Sequence, residues 1–227
     1  QRRGEDEVVC GVGQIAVEHQ QVVERHSIAR RMNAGVDDRA DGDVAADARD
    51  AGSQAAQAAH DEVDLDPGER TSWEETLVLA RLHRTAFEHL QLRAYPKVTG
   101  RRGIQVWVPI RHGPSFDDTR RWAEKVSRSV GAVVPELVSW SWEVKARKGL
   151  ARLDYTQNAV NKTLVAPYSP RPSAGAPVSA PITWDELDDP DLRPDRWTIR
   201  TVLDRLAEHG DLFAGALHAD QSLPRVR

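Results

Sequence analysis

The chain has 227 residues, of which 40% are hydrophobic and 29% charged, with a formal net charge of -4 at pH 7. That length suits one good core, or one domain with an appendage, and the charge shows no excess that would mark a general polyanion binder. No run approaches the roughly 18 apolar residues of a membrane span, no basic stretch leads into an apolar signal core, and the lone Cys10 excludes an intrachain disulfide or a cysteine zinc site. The expected location is therefore the cytoplasm.

The averages conceal a division. Residues 1–60 carry seven Arg, eleven acidic residues, no Lys and no aromatic residue, whereas residues 61–227 hold all seven Trp, three Tyr and three Phe, with acidic and basic residues in balance. From Gly35 to His60 almost nothing larger than Val is available to bury, so this stretch is expected to be disordered or loosely helical. A short helix over Ile15 to Met32 is the one exception, drawn from Val17, Val22, Val23, Ile28 and Met32. A chain that opens on Gln rather than Met is expected to be a fragment or a trimmed product.

At Asp61 the character changes. Val63-Asp64-Leu65-Asp66 reads as a strand that Pro67 and Gly68 close. Alternation puts Asp64 and Asp66 on one face and Leu65 on the other, a geometry suited to a divalent metal clamp, although a bare Asp-x-Asp also describes a solvated turn. Thr71-Ser72-Trp73-Glu74-Glu75 starts an amphipathic helix to about Leu90, on which His83 and His89 read as surface or packing residues. Leu92 to Lys97 is a short strand, and Ile104 to Ile110 another, with Ile104, Val106, Val108 and Ile110 on its buried face. Between them, Thr99, Arg101, Arg102 and two glycines supply the ingredients of an anion-binding turn, with Lys97 adding charge; an ordinary basic hairpin loop has the same ingredients.

A second amphipathic helix is expected from Phe116 to Val130, with Gly131 as its stop. Glu136 to Val144 reads as a strand or short connection, and Lys145 to Gly149 as a basic turn. Gly149 to Asn158 is expected to be a strand with Asp154 at its far end. If it lies beside the first strand, three carboxylates converge. Asn161 to Pro172 continues as an extended edge segment ending on Arg171, Pro177 to Pro181 and Asp185 to Asp191 read as linkers, and Trp197 to Leu206 is a last amphipathic helix before a polar tail.

Taken together, Asp64-Leu65-Asp66-Pro67, the run Tyr95-Pro96-Lys97-Val98-Thr99-Gly100-Arg101-Arg102-Gly103-Ile104-Gln105, Leu153-Asp154-Tyr155-Thr156-Gln157-Asn158 and the run from Val165 to Val178 resemble the polymerase domain of bacterial DNA ligase D, of the archaeo-eukaryotic primase superfamily. The resemblance covers Glu62 to Phe213. It implies an α/β (α+β) fold, a mainly antiparallel sheet flanked by helices, forming a primase-like polymerase core over residues 61–215, with 1–60 unmatched and 216–227 a polar tail. It also implies a DNA-directed nucleotidyltransferase of nonhomologous end joining that extends a primer or fills a gap. The implied metal and catalytic residues are Asp64, Asp66 and Asp154, holding two Mn2+ or Mg2+ ions. The implied nucleotide contacts are Thr99, Arg102, Gln105, Gln157 and Arg171, with Gln105 standing where many relatives have His. The implied partners are gapped or broken DNA with a 5′-phosphate, NTP or dNTP, and a ligase and Ku in trans, at the nucleoid.

Two further readings remain open. An inactive DNA-end-binding remnant fits the absence of aromatic residues before Asp61, and a frame-shifted or unrelated origin for residues 1–60 would leave the core truncated with exposed sheet edges. An Asp-x-Asp glycosyltransferase would leave Asp154 and Arg171 without a role.

Overall fold

The computed structural model describes residues 60–226 apart from Asn161 and Ala219. The expectations for residues 1–59, including the helix over Ile15 to Met32, lie outside the described residues. Four antiparallel strands form one sheet in the order β2-β3-β1-β4: β1 is His60–Asp66, β2 Tyr95–Val98, β3 Ile104–Pro109 and β4 Arg152–Asp154. Helices α1 (Trp73–His89) and α2 (Phe116–Val133) pack against β1, and α3 (Val202–His209) follows late in the chain. This is the α+β arrangement expected from the sequence. Among the described residues no helix is long and apolar enough to cross a membrane.

Register explains how the strands divide labour between the faces. Directly opposed residues project to the same side, so Val98, Ile104, Leu65 and Leu153 form one row across all four strands, each at most 1% exposed. The adjacent row, Lys97, Gln105, Asp64 and Asp154, projects to the other side. Burying the apolar row on a shared core fixes the polar row's position, because a slip of one residue would exchange the two faces. β1 also carries two buried acids, Asp61 and Glu62, where its sequence promised only Val63 as apolar lead-in. Asp61 lies on the apolar side, and its Oδ1 accepts the Glu62 amide at 2.8 Å.

Both long helices begin at a capping box. Ser72 accepts from the Glu75 amide while Glu75 accepts from Ser72, and Ser115 and Asp118 repeat the exchange. α2 runs through Gly131 rather than stopping there. A Cβ at Gly131 would stand 2.6 Å from Cζ2 of Trp140, so this glycine admits the Trp140 ring against the helix.

Three other sequence readings are corrected. The strand expected over Gly149 to Asn158 shrinks to Arg152–Asp154, because Asp154 accepts from the Thr156 amide (2.9 Å) and hydroxyl (2.6 Å) and turns the chain into a 3-10 turn, Tyr155–Gln157. Of the two readings of Glu136 to Val144, strand or connection, the structure has the connection, with Val138 bridged to Ala151 just before β4. The stretch Pro177 to Pro181 is no linker: Val178, Ser179 and Ala180 are buried, and Ala180 O accepts from Val98 N at 3.0 Å along the outer edge of β2. The last helix begins at Val202 instead of Trp197, since Trp197 O accepts the Val178 amide at 2.7 Å and the indole lies 3.9 Å beneath the Arg205 guanidinium.

The sheet edges expected to be exposed are partly covered. The segment 180–182 covers β2, and Leu137 and Ser139 bond Ala151 at the start of β4. The polar tail is tethered: Gln221 Nε2 donates to Pro109 O (2.8 Å) and Arg93 O (3.0 Å), and Trp122 Nε1 donates to Pro224 O (2.8 Å).

His83 is wholly buried beside Phe87, with Nδ1 2.7 Å from Leu79 O and Nε2 without a partner. Burial lowers its pKa to about 4, so the native state keeps it neutral. As pH falls from about 6.5 towards 4, the unfolded chain takes up a proton that the native chain refuses, and stability is lost. Between those limits the wild type should lose on the order of 3 kcal/mol more than His83→Leu in urea titrations at stepped pH. Equal losses would show that the native fold accommodates a charged His83.

Candidate active site

The polar row is graded along the sheet. At one end Tyr95 and Trp107 meet Phe213 edge to face, with ring centroids 6.1 and 5.3 Å away, and Glu62 lies opposite Trp107. Glu62 is wholly buried with both carboxylate oxygens unpartnered. Burial, then Asp64, raises its pKa well above the usual carboxylate value. Next comes Lys97, whose Nζ donates to Gln105 Oε1, Val165 O (2.8 Å) and Ser179 Oγ (2.9 Å). Lys97 is thus a buried part of β2 and adds nothing to the loop's surface charge, contrary to the sequence reading. The row direction decides this, since its side chain lies under Val165 and Ser179. Burial brings its pKa down to about 8 against the opposing pull of Glu62 and Asp64.

Gln105 passes the ordering on. With Oε1 accepting from Lys97, its amide nitrogen is left to donate to Asp64, the half-buried carboxylate in mid-row. Asp64 is pushed up to about 7, first by burial and then by Asp66. Asp154 stands directly across from Asp64, and Asp66 lies one alternation further on, opposite Arg152 and exposed. The three predicted carboxylates therefore share one face and one end of the sheet.

As they stand, two of the three are occupied by cations of the chain. Arg147 Nη1 donates to Asp66 Oδ2 at 3.3 Å and Arg152 Nη2 to Asp154 Oδ1 at 3.3 Å. Thr156 and Gln157 Nε2 (3.3 Å) complete the Asp154 shell. Among the described residues no three His, Cys, Asp or Glu side chains converge closely enough to hold a metal ion in this conformation. The donor set nevertheless suits a hard cation: all-oxygen carboxylates, crowded enough to raise one pKa, with guanidinium groups standing in for positive charge.

The predicted phosphate-contacting residues surround this end. Thr99 closes its own loop, donating from its amide to Gly103 O (3.0 Å) and accepting from Gly103 N on Oγ1 (3.1 Å). Arg102 Nη2 donates to Pro67 O at 2.8 Å and so ties the loop to the end of β1. Gly103 permits that approach, for a Cβ there would lie 2.5 Å from Leu65 O. Arg171 comes from the hairpin 168–179, where its amide donates to Pro177 O at 2.7 Å. Its guanidinium is half-buried with Nε unpartnered, and burial and Arg101 lower its pKa while Asp64 opposes them. Gln105 and Gln157 contact Asp64 and Asp154 directly.

The residues that the sequence reading missed are Glu62, Arg147 and Arg152, together with the buried place of Lys97. Period-two counting from Asp64 and Asp154 would have found Glu62 and Arg152; nothing local marks Arg147.

A sequence model of the family described as "LigD, primase-polymerase domain" matches residues 15–213. The chain belongs to this family. The match begins upstream of the region in which the motifs lie. The chain is 38% identical over 151 residues to the multifunctional non-homologous end joining protein LigD of Mycolicibacterium smegmatis, covering 66% of this chain and 20% of that protein. It is 31% identical over 152 residues to the bifunctional non-homologous end joining protein LigD of Bacillus subtilis, covering 66% and 25%. Thus the aligned LigD region spans a fifth to a quarter of these relatives. The polymerase domain of Mycobacterium tuberculosis ligase D, solved in complex with DNA, superposes with a TM-score of 0.65 at 32% identity, covering 71% of this chain and 56% of that one.

The loop-to-strand contact is testable. Gly103→Ala should push the 99–103 loop away from β1 and destabilise the fold by about 1–3 kcal/mol, read as a lowered urea midpoint. An unchanged midpoint would show that the loop yields without cost.

Proposed function

We propose that the LigD primase-polymerase domain of this chain is a DNA repair nucleotidyltransferase, which adds ribo- or deoxyribonucleotides to a DNA end or fills a gap in nonhomologous end joining. The observation that carries this reading is the register that places Asp154 opposite Asp64 with Asp66 one alternation on, at the end bordered by the 99–103 loop and Arg171. It is supported by family membership and by the end-joining role in the names of the aligned relatives. The related polymerase domain was solved with DNA.

In this reading Asp64, Asp66 and Asp154 hold two divalent ions, Mn2+ or Mg2+. When bound, the ions activate the primer 3′-hydroxyl and neutralise charge on the triphosphate during in-line displacement. The chain's own groups do the rest. Lys97 orients the Gln105 amide, and Gln105 holds Asp64 towards the site. Arg171, with an unpartnered Nε, and Arg102 offer guanidinium donors to phosphate oxygens. Thr99 shapes the loop that bears Arg102, and Gln157 steadies Asp154 on the nucleotide side. Arg147 and Arg152, now paired with Asp66 and Asp154, would have to give up those contacts for the two carboxylates to hold ions. A gapped or broken DNA end with a 5′-phosphate is the substrate, and a ligase and Ku act in trans.

One observation favours a second reading, an inactive DNA-end-binding domain: Arg147 and Arg152 already neutralise two of the three carboxylates. Primer extension with Mn2+ on a gapped duplex bearing a 5′-phosphate separates the two. The wild type should extend the primer, and Asp64→Ala and Asp66→Ala should fall to background while still binding the duplex. Folded wild-type protein that binds the duplex without extending it would establish the second reading.

A further inference from the structure

The connection between α2 and β4 exposes a tryptophan beside the active site. Trp142 is 65% exposed, and its ring lies 4.2 Å from the guanidinium of Arg152, which is itself buried and ion-paired to Asp154. Its backbone is fixed as well: Arg147 donates to Trp142 O (3.2 Å), to Ser141 O (3.1 Å) and to Asp66 Oδ2 (3.3 Å). Trp142 is therefore linked through one arginine to each of two site carboxylates. Two residues away, Trp140 packs against Gly131 and under Arg128 at 4.7 Å, which anchors the connection to α2.

An indole held by such contacts and left in water is an unsatisfied apolar surface of fixed orientation. Arg147 and Arg152 are matched by Asp66 and Asp154, which leaves Lys145 and Lys148 against Glu143, a small positive excess beside the ring. Lys145 and Lys148 are exposed, and Lys148 adopts φ 55, which a glycine or asparagine would hold at less cost. A flat aromatic face backed by a cation and flanked by lysines suits a nucleobase with its phosphates. It is a poor match for a folded protein partner, which would need a larger apolar area.

We propose that Trp142 is a stacking platform for an unpaired base of a single-stranded DNA overhang leading into the site, with Lys145 and Lys148 on the flanking phosphates. The inference rests on the proposed polymerase function and adds to it a route by which unpaired DNA reaches Asp64 and Asp66. Stacking is tolerant of sequence, so the platform should accept any base.

The test is fluorescence anisotropy of the full chain with a labelled dT oligonucleotide, beside Mn2+-dependent binding of a labelled NTP. Trp142→Ala should weaken oligonucleotide binding about tenfold, Trp142→Phe should retain most of it, and both should bind the NTP as the wild type does. Lys145→Gln with Lys148→Gln should lower the salt slope of log K by about 0.7 for each lysine. Oligonucleotide affinity unchanged in Trp142→Ala would overturn the platform. Wild-type protein that binds NTP but not the oligonucleotide would overturn it too, while leaving the polymerase reading intact. Loss of both activities in folded wild type would remove the polymerase reading, and this inference with it.

Discussion

Two carboxylates facing each other across neighbouring strands, Asp64 on β1 and Asp154 on β4, set the constraint on which the rest of this domain depends. Like charges directly opposed on a sheet face repel, and a third carboxylate, Asp66, stands one alternation away. The arrangement persists because the adjacent row of Val98, Ile104, Leu65 and Leu153 is buried across all four strands. The register cannot shift to relieve the repulsion without turning that apolar row outwards. Stability of the core thus imposes crowding on the face that carries the three carboxylates.

The chain manages the crowding differently at the two ends of the polar face. Where Tyr95, Trp107 and Phe213 close it off, burial raises the pKa of Glu62, and Lys97 is enclosed by three acceptors. Where the face opens, Arg147 and Arg152 supply the counter-charge through hydrogen bonds of 3.3 Å, at the long end of such contacts. Gln105 joins the two regimes, accepting from the buried lysine and donating to Asp64. A basic side chain at position 105 would bring a second cation against Lys97; the neutral amide instead transmits orientation from the closed end to the open one.

Much of this was legible in the sequence, and the parts that were not share a cause. Alternation in Ile104 to Ile110 and in Asp64-Leu65-Asp66 gave both strands and their faces, and Ser72 with an acid three residues on marked the first helix start. The family motifs then brought Asp154 and Arg171 to the same end as Asp64. Long-range partners were the failures. Gly131 looked like a stop because nothing nearby announces Trp140, and Pro177 to Pro181 looked like a linker because its partner, the edge of β2, lies some eighty residues earlier. Trp197 looked helical by local pattern but gives its carbonyl to Val178. Lys97, at the end of its strand, looked like added charge for the loop, since charge alone does not tell which strand face a residue occupies.

The most direct test of this account is thermal unfolding of wild type and Asp64→Asn, each with EDTA and with Mn2+. Neutralising position 64 removes repulsion from Asp66 and Asp154 while an amide at that position can still meet Gln105. The variant should therefore melt higher than the wild type in EDTA and gain nothing from Mn2+, while the wild type gains stability with rising Mn2+. A variant that melts lower in EDTA and is stabilised by Mn2+ as much as the wild type would contradict the account, placing both the crowding and the metal elsewhere.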